Sequence, residues 1–384
     1  MIDLDWDLER SRARQNKRWT QFDRDIIDLT VAEMDLPVPG PVLAAVQDAV
    51  RRQAFGYPVA DELSEVPQAA SEWLAEEHGL SAGPDRIRLL PELMRGVTMS
   101  VTHLTRAGSP VVVPTPVYGR FFDAIGVAGR EAVQVPMRTG EHGYELDLDG
   151  IERALRAGAG SVLLCHPGNP TGRVLERGPL RELAALAARY DAKVISDEIH
   201  APLRYEPGFT PYGSLDDTAV TLISATKAWN FPGLRCGLIV FSDPGDARIW
   251  AKLPRAAVGG MSPLGMTATV AAFRDGRPWL REAVRFLDGN RKLVTEALAA
   301  LDIGYVEPQA GYLAWLDLRR FGLADPAAHL LQWTGVATTT GADHGAAGNG
   351  FVRLNFATPP GVLKEALDRI TACLLGRTGR PGDA

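Results

Sequence analysis

The sequence predicts an α/β protein: a large domain with a mostly parallel seven-stranded sheet between helices, followed by a smaller α+β domain. Seven short apolar runs appear from about residue 86 onward, at 86–90, 110–113, 132–135, 161–165, 193–196, 218–224 and 237–241. Most do not alternate polar with apolar residues, the pattern of strands buried on both faces. The stretches between them, such as residues 180–190, carry apolar residues at helical spacing, so strand and helix alternate. After about residue 285 this rhythm stops. A long helix around residues 290–301, strands near Tyr305 and at 312–316, and a terminal helix from about Pro360 then form a separate unit. The expected division is an N-terminal arm with part of the small domain (1–45), a large domain (46–285) and a C-terminal small domain (286–384). The tail from residue 376 is expected to fray.

At 384 residues and 41.5 kDa the chain is long enough to bury a large core. A net charge of −6, with both signs scattered along the chain, argues against nucleic-acid binding and against anionic membranes. The charged N-terminus lacks a signal-peptide core, and no apolar run approaches a membrane span, so a cytoplasmic protein is expected. Cys165, Cys236 and Cys373 lie far apart, without metal-ligand spacing, and Cys165 and Cys236, at the edges of apolar runs, read as buried thiols. No metal is expected. Only six of the 41 basic residues are lysines, which leaves few candidates for lysine chemistry.

One of the six is Lys227, in Ser224-Ala225-Thr226-Lys227, directly after the sixth apolar run. An ammonium beside a buried strand costs several kcal/mol unless it is paired or neutralised. A Schiff base with a cofactor aldehyde removes that cost and places a nucleophilic nitrogen at the strand end. Ser224 and Thr226 offer hydroxyls to a phosphate ester, and Arg235, eight residues on, is a fixed cation for the same phosphate. The second motif, Ser196-Asp197-Glu198-Ile199-His200, closes the fifth run. Asp197 stands where α/β sheets bind ligands and could keep a pyridine nitrogen protonated, or it could simply cap the next helix. The third, His166-Pro167-Gly168-Asn169-Pro170-Thr171-Gly172, is a rigid turn after the fourth run. It is either a plain loop or a mount from which the Asn169 amide meets a phenolic oxygen.

Together and in this order the three motifs resemble the fold-type I pyridoxal 5'-phosphate (PLP) enzymes, the aspartate aminotransferase superfamily. The resemblance covers nearly the whole chain. It implies that Lys227 carries PLP and that Asp197, Asn169, Ser224, Thr226 and Arg235 bind it. It further implies that Tyr118 stacks on the ring and that the helix opened by Met94 and Arg95 receives the phosphate. Tyr57 would reach the phosphate of a neighbouring subunit, making a homodimer with shared sites. Arg353 would clamp the α-carboxylate of an amino-acid substrate. Taken singly, Tyr57 and Tyr118 could be ordinary surface or core aromatics.

Val31-Ala32-Glu33-Met34-Asp35, the 196–200 motif with His200, and Tyr312-Leu313-Ala314-Trp315-Leu316-Asp317 narrow the resemblance to the MalY/PatB group of cystathionine β-lyases and cysteine-S-conjugate lyases. This places Ala32 at the substrate and His200 in the cofactor site. It implies β-elimination of an S-substituted L-cysteine to thiol, pyruvate and ammonia. An aminotransferase, or a decarboxylating or oxidative-deaminating enzyme, would use the same residues, and a regulatory protein on this scaffold is a further alternative. Three departures from the group's pattern suggest a roomier, more polar pocket: Gly168, Gly311 and the polar segment from Thr338 to His344. They point to a bulky, hydrophilic S-conjugate as substrate rather than cystathionine.

Overall fold

Alternate residues of the apolar runs turn to opposite sides. Val111, Val113, Leu163 and Ile195 enter one buried cluster, while Val112, Val162, Leu164 and Val194 enter another. That is the two-face burial their uninterrupted hydrophobicity predicts. The structure, a computed structural model, describes residues 7–140 and 143–376. Residues 377–384, most of the tail expected to fray, and the first six residues of the charged N-terminus lie outside the described residues.

The seven strands are β1 (Ile87–Leu90), β2 (Val111–Thr115), β3 (Ala132–Pro136), β4 (Ser161–Cys165), β5 (Lys193–Asp197), β6 (Val220–Ile223) and β7 (Gly237–Phe241). Their order across the sheet is β1-β7-β6-β5-β4-β2-β3. All neighbouring pairs from β6 to β3 are parallel, and β7 runs antiparallel to both β6 and β1. Helix α1 (Leu93–His103) follows β1, and α2 (Arg177–Arg189) packs Leu180, Leu183 and Ala187 inward, as the helical spacing of that stretch requires.

The long helix α3 spans Arg277–Leu298 and starts well before the expected residue 290. Pro lies in its first turn, and Trp279, Leu280, Ala283 and Leu287 extend its buried stripe back to that start. It therefore runs through residue 285, where a domain boundary was expected. Beyond it, β8 (Gly304–Tyr305), β9 (Leu313–Asp317), β10 (Thr339–Thr340) and β11 (Phe351–Asn355) form an antiparallel sheet in the order β8-β9-β11-β10. Helix α4 (Pro360–Leu374) shares one hydrophobic cluster with α3.

The N-terminal arm joins this second unit, since Ile27–Asp28 pairs in parallel with Val336–Ala337. Residues 29–36 then run on without regular structure, and side chains take over the hydrogen bonds that a sheet would supply. Arg18 donates to the carbonyls of Asp28 (2.9 Å) and Glu33 (2.8 Å). Asn355 donates to those of Val31 and Glu33, and Asn230 to those of Met34 and Leu36. Arg18 also pairs with Asp35 at 3.2 Å, both side chains being buried. Among the described residues no helix is long and apolar enough to cross a membrane.

Candidate active site

Strands β4, β5 and β6 lie side by side and parallel, so the residues at their C-terminal ends converge on one edge of the sheet. Asn169 follows β4, Asp197 ends β5, and Lys227 lies in a single helical turn, Ala225–Ala228, after β6. Ser224 caps that turn, its hydroxyl accepting from the Thr226 N–H at 3.1 Å. The Ser224 hydroxyl also lies 2.8 Å from that of Thr226 and donates to the Cys236 carbonyl at 2.7 Å. These residues line a cavity of ≈ 840 Å³ between the sheet edge, the arm and the second unit.

Lys227 Nζ donates to the Ala32 carbonyl at 2.8 Å, and the Tyr312 hydroxyl donates to the same oxygen at 3.0 Å. Burial lowers the Lys227 ammonium to about 8, with Glu33 opposing it, so the neutral amine is accessible near neutral pH. Asp197 is buried, and burial raises its carboxyl to about 7 although Oδ1 accepts from the Ile199 N–H at 3.1 Å and Lys227 lies nearby. A carboxylate in that position calls for a cationic partner.

Arg353 sits in the middle of β11, opposite Trp315 on β9 and Thr339 on β10. Its Nη1 donates to Asn169 Oδ1 at 3.1 Å, and its Nη2 to the Thr30 carbonyl (2.8 Å) and the Thr339 hydroxyl (3.2 Å). Among the described residues the Nε–H is buried without a partner, and burial lowers the guanidinium to about 10. A buried guanidinium on a cavity wall is suited to an anionic ligand. Because Asn169 presents its oxygen to Arg353, its amide NH₂ is left to donate elsewhere.

Of the other residues singled out in the sequence, Ala32, Met94, Tyr118, His200, Thr226 and Arg235 also line the cavity. Tyr118 is half-buried. His200 is buried edge-on to Tyr312, and burial lowers its imidazole to about 3, so the ring is neutral. Helix α1 starts at Leu93, and among the described residues no side chain caps its first amides, which include those of Met94 and Arg95. The Arg95 side chain is exposed and not part of the cavity wall. Tyr57 is fully exposed (101%) and stands off the cavity of its own chain.

Two sequence expectations need correcting. Gly168 lies outside the main cavity; a Cβ there would meet Thr171 Oγ1 at 2.5 Å, so its small size serves the turn. Gly311 has φ +79°, a left-handed backbone that favours glycine, and a Cβ there would face His200 Nδ1 at 3.6 Å. Neither glycine enlarges the cavity. The third departure does reach it: Thr339, Asp343 and His344 form part of its wall.

Lys17, Gln21, Thr30 and Cys165 line the cavity as well and carried no signal in the sequence reading. Cys165 lies beside Asp197 in the sheet register, and burial pushes its thiol well up, which leaves it unreactive. Thr339 could have been found by pairing the strands, since it stands opposite Arg353.

The residues at hand fit a phosphorylated pyridine aldehyde. Amides of the first turn of α1, two hydroxyls and Arg235 line a place for its phosphate, a buried strand-end carboxylate suits its ring nitrogen, and a lysine with a lowered ammonium stands beside them. Fold and site thus define an enzyme of aspartate aminotransferase architecture built around one lysine. The chain belongs to the aminotransferase class I and II family, whose model matches residues 24–370. A cystathionine β-lyase of Corynebacterium glutamicum is 34% identical over 375 residues, covering 96% of this chain and 99% of that protein. The cystathionine β-lyase PatB of Bacillus subtilis is 31% identical and covers 91% of this chain and 93% of its own. A crystal structure from Corynebacterium diphtheriae, described as a candidate PLP-dependent β-cystathionase, superposes with a TM-score of 0.90 at 38% identity, covering 97% of this chain and 98% of that one.

Proposed function

We propose that this protein is a PLP-dependent carbon–sulfur lyase that converts an S-substituted L-cysteine and water to a thiol, pyruvate and ammonium. The observation that carries this reading is one cavity lined by a buried lysine with a lowered ammonium, a strand-end carboxylate and a buried guanidinium. The similarity to cystathionine β-lyases over almost the full chain supports it.

PLP, when bound, supplies an electron sink for the charge left when a bond to the substrate Cα breaks. Lys227 is the residue that would carry it and Asp197 the one that would hold its ring nitrogen. Asn169 and His200 would lie near the phenolic oxygen and Tyr118 against the ring. Its phosphate would take the first amides of α1 together with Ser224, Thr226 and Arg235. Tyr57, exposed and remote from its own cavity, would complete that cradle in a second copy of the chain, so the active unit is a homodimer.

Arg353 binds the substrate carboxylate from the cavity wall, while Asn169 and Thr339 hold the guanidinium in plane. Ala32 bounds the substrate on the arm side, its carbonyl steering the Lys227 amine. Lys227 takes the Cα proton as general base, which its lowered ammonium permits near neutral pH. A sulfur on Cβ then leaves as the thiol. The polar wall of Thr339, Asp343 and His344 supports a hydrophilic substituent on that sulfur in preference to cystathionine.

The test is to incubate the yellow holoenzyme with S-substituted L-cysteines, without a keto acid acceptor, and to assay thiol, pyruvate and ammonia. Equal amounts of all three, over many turnovers, are expected. A single equivalent of keto acid with no thiol would replace the lyase reading by transamination. Slower turnover of hydrophilic conjugates than of cystathionine would overturn the substrate preference.

A further inference from the structure

The loop after β10 begins with Gly341–His344 and carries a second short turn at Ala346–Gly348. Although it belongs to the second unit, it is fastened to the large sheet. The Val117 N–H donates to the His344 carbonyl at 2.9 Å, and the Ala346 N–H to Gln134 Oε1 at 2.9 Å. The loop is therefore held by the segment that follows β2 and by β3 of the large domain, and the His344 it carries is 2% exposed.

The imidazole itself is oriented by two contacts. Its ring packs against Trp315, with centroids 5.2 Å apart, and Trp315 in turn stacks on Phe351. Its Nδ1 lies 3.3 Å from the Thr340 carbonyl. A carbonyl only accepts, so Nδ1 carries the proton. Burial and the nearby Arg353 guanidinium keep the ring from taking a second one, lowering the imidazole to about 3. Nε2 is then a lone-pair acceptor. His344 forms part of the cavity wall, and among the described residues no protein donor meets Nε2. That nitrogen is also not sealed in the interior, in contrast to His200 Nδ1, which is buried and unpartnered.

We propose that His344 is a specificity-determining residue whose Nε2 accepts a hydrogen bond from an uncharged N–H or O–H group on the substituent beyond the substrate's sulfur. This rests on the reading of Arg353 as the carboxylate clamp of an S-substituted cysteine. With the carboxylate on Arg353, the rest of the substrate extends along the same wall, where His344 is the buried acceptor. The substrate class is therefore cysteine S-conjugates with a neutral hydrogen-bond donor, such as a hydroxyl, an amide or an azole N–H. A cationic donor is disfavoured by Arg353, whose charge acts directly on the His344 ring.

The test uses two thioether acids of equal size that lack the amino group and therefore bind without reacting: (hydroxyethylthio)propanoate and (propylthio)propanoate. Their dissociation constants are measured by calorimetry on the holoenzyme, wild type and His344→Phe, with His344→Gln to restore an acceptor. The wild type is expected to favour the hydroxyl compound over the propyl one by roughly fivefold more than His344→Phe does, the worth of one neutral hydrogen bond. His344→Gln should recover part of that preference, and (methylthio)propanoate should bind wild type and variants alike. The same preference in wild type and His344→Phe would overturn the role of His344 and leave the lyase reading intact. Failure of all three acids to bind the wild type would instead remove the Arg353 clamp on which both readings rest.

Discussion

Lys227, Asp197 and Asn169 reach the cavity from the ends of three neighbouring parallel strands, whereas Thr30, Ala32 and His344 reach it from segments with little regular structure and Thr339 from the two-residue strand β10. The floor residues inherit their spacing from the sheet, so their mutual placement survives any change in the loops that does not disturb the strands. The opposite wall has no such frame. It depends on side chains bonded to bare carbonyls: Arg18, Asn230 and Asn355 under the arm, and Tyr312 and Lys227 meeting at Ala32. On the proposed function, chemistry common to many amino acids falls to the rigid floor and choice among substrates to the wall.

Substitutions should separate the two regions. The largest effect is expected on the floor: Lys227→Ala removes the general base, and pyruvate formation should fall by roughly 10³-fold or more. A variant with near-normal turnover would place the proton transfer on another residue. Arg353→Met comes next, with a loss of roughly 10²-fold in kcat/KM as the carboxylate loses a charged partner. The loss should vary little among S-substituted cysteines, since all share the carboxylate, and kinetics on three such substrates would check this.

Asp197→Asn should separate cofactor chemistry from folding. In the protein without cofactor, the folded-state carboxyl is raised from 3.8 to about 7 by burial. The stability that its protonated form contributes is therefore present below about pH 4 and is lost as pH rises through about 7. The apo variant should melt a few degrees above apo wild type at pH 8, with the difference closing by pH 4. An unchanged gap across that range would mean Asp197 is not the group responsible. The smallest effect is expected at the wall: Tyr312→Phe deletes one hydrogen bond to the Ala32 carbonyl, worth about 1 kcal/mol, or roughly a fivefold loss in kcat/KM.

The same contrast explains what could be read from the sequence. Lys227, Asp197 and Asn169 were legible because each directly follows an apolar run, and a polar residue at such a strand end has few structural reasons to be there. The seven strands were legible because burial on both faces leaves a hydrophobic run in the chain itself. The start of α3 was less so, as its first turns mix Arg and Glu with the buried Trp279 and Ala283. Thr30, Gln21 and Lys17 belong to a segment with no periodicity, and the place of Thr30 on the cavity depends on bonds to residues more than three hundred positions away, Thr339 and Arg353. Gly168 and Gly311 misled because a glycine's space and its backbone freedom look alike in a sequence. Only the φ of +79° at Gly311 and the Thr171 hydroxyl beside Gly168 show which one matters.

The central claim is that the cavity breaks a carbon–sulfur bond at Cβ. It is tested most directly by a single turnover in D₂O, with holoenzyme in excess over an S-substituted L-cysteine and the products identified by mass. The account predicts free thiol and pyruvate in equal amounts, the pyruvate carrying solvent deuterium in its methyl group. Recovery of the keto acid with its sulfur substituent still attached would contradict it.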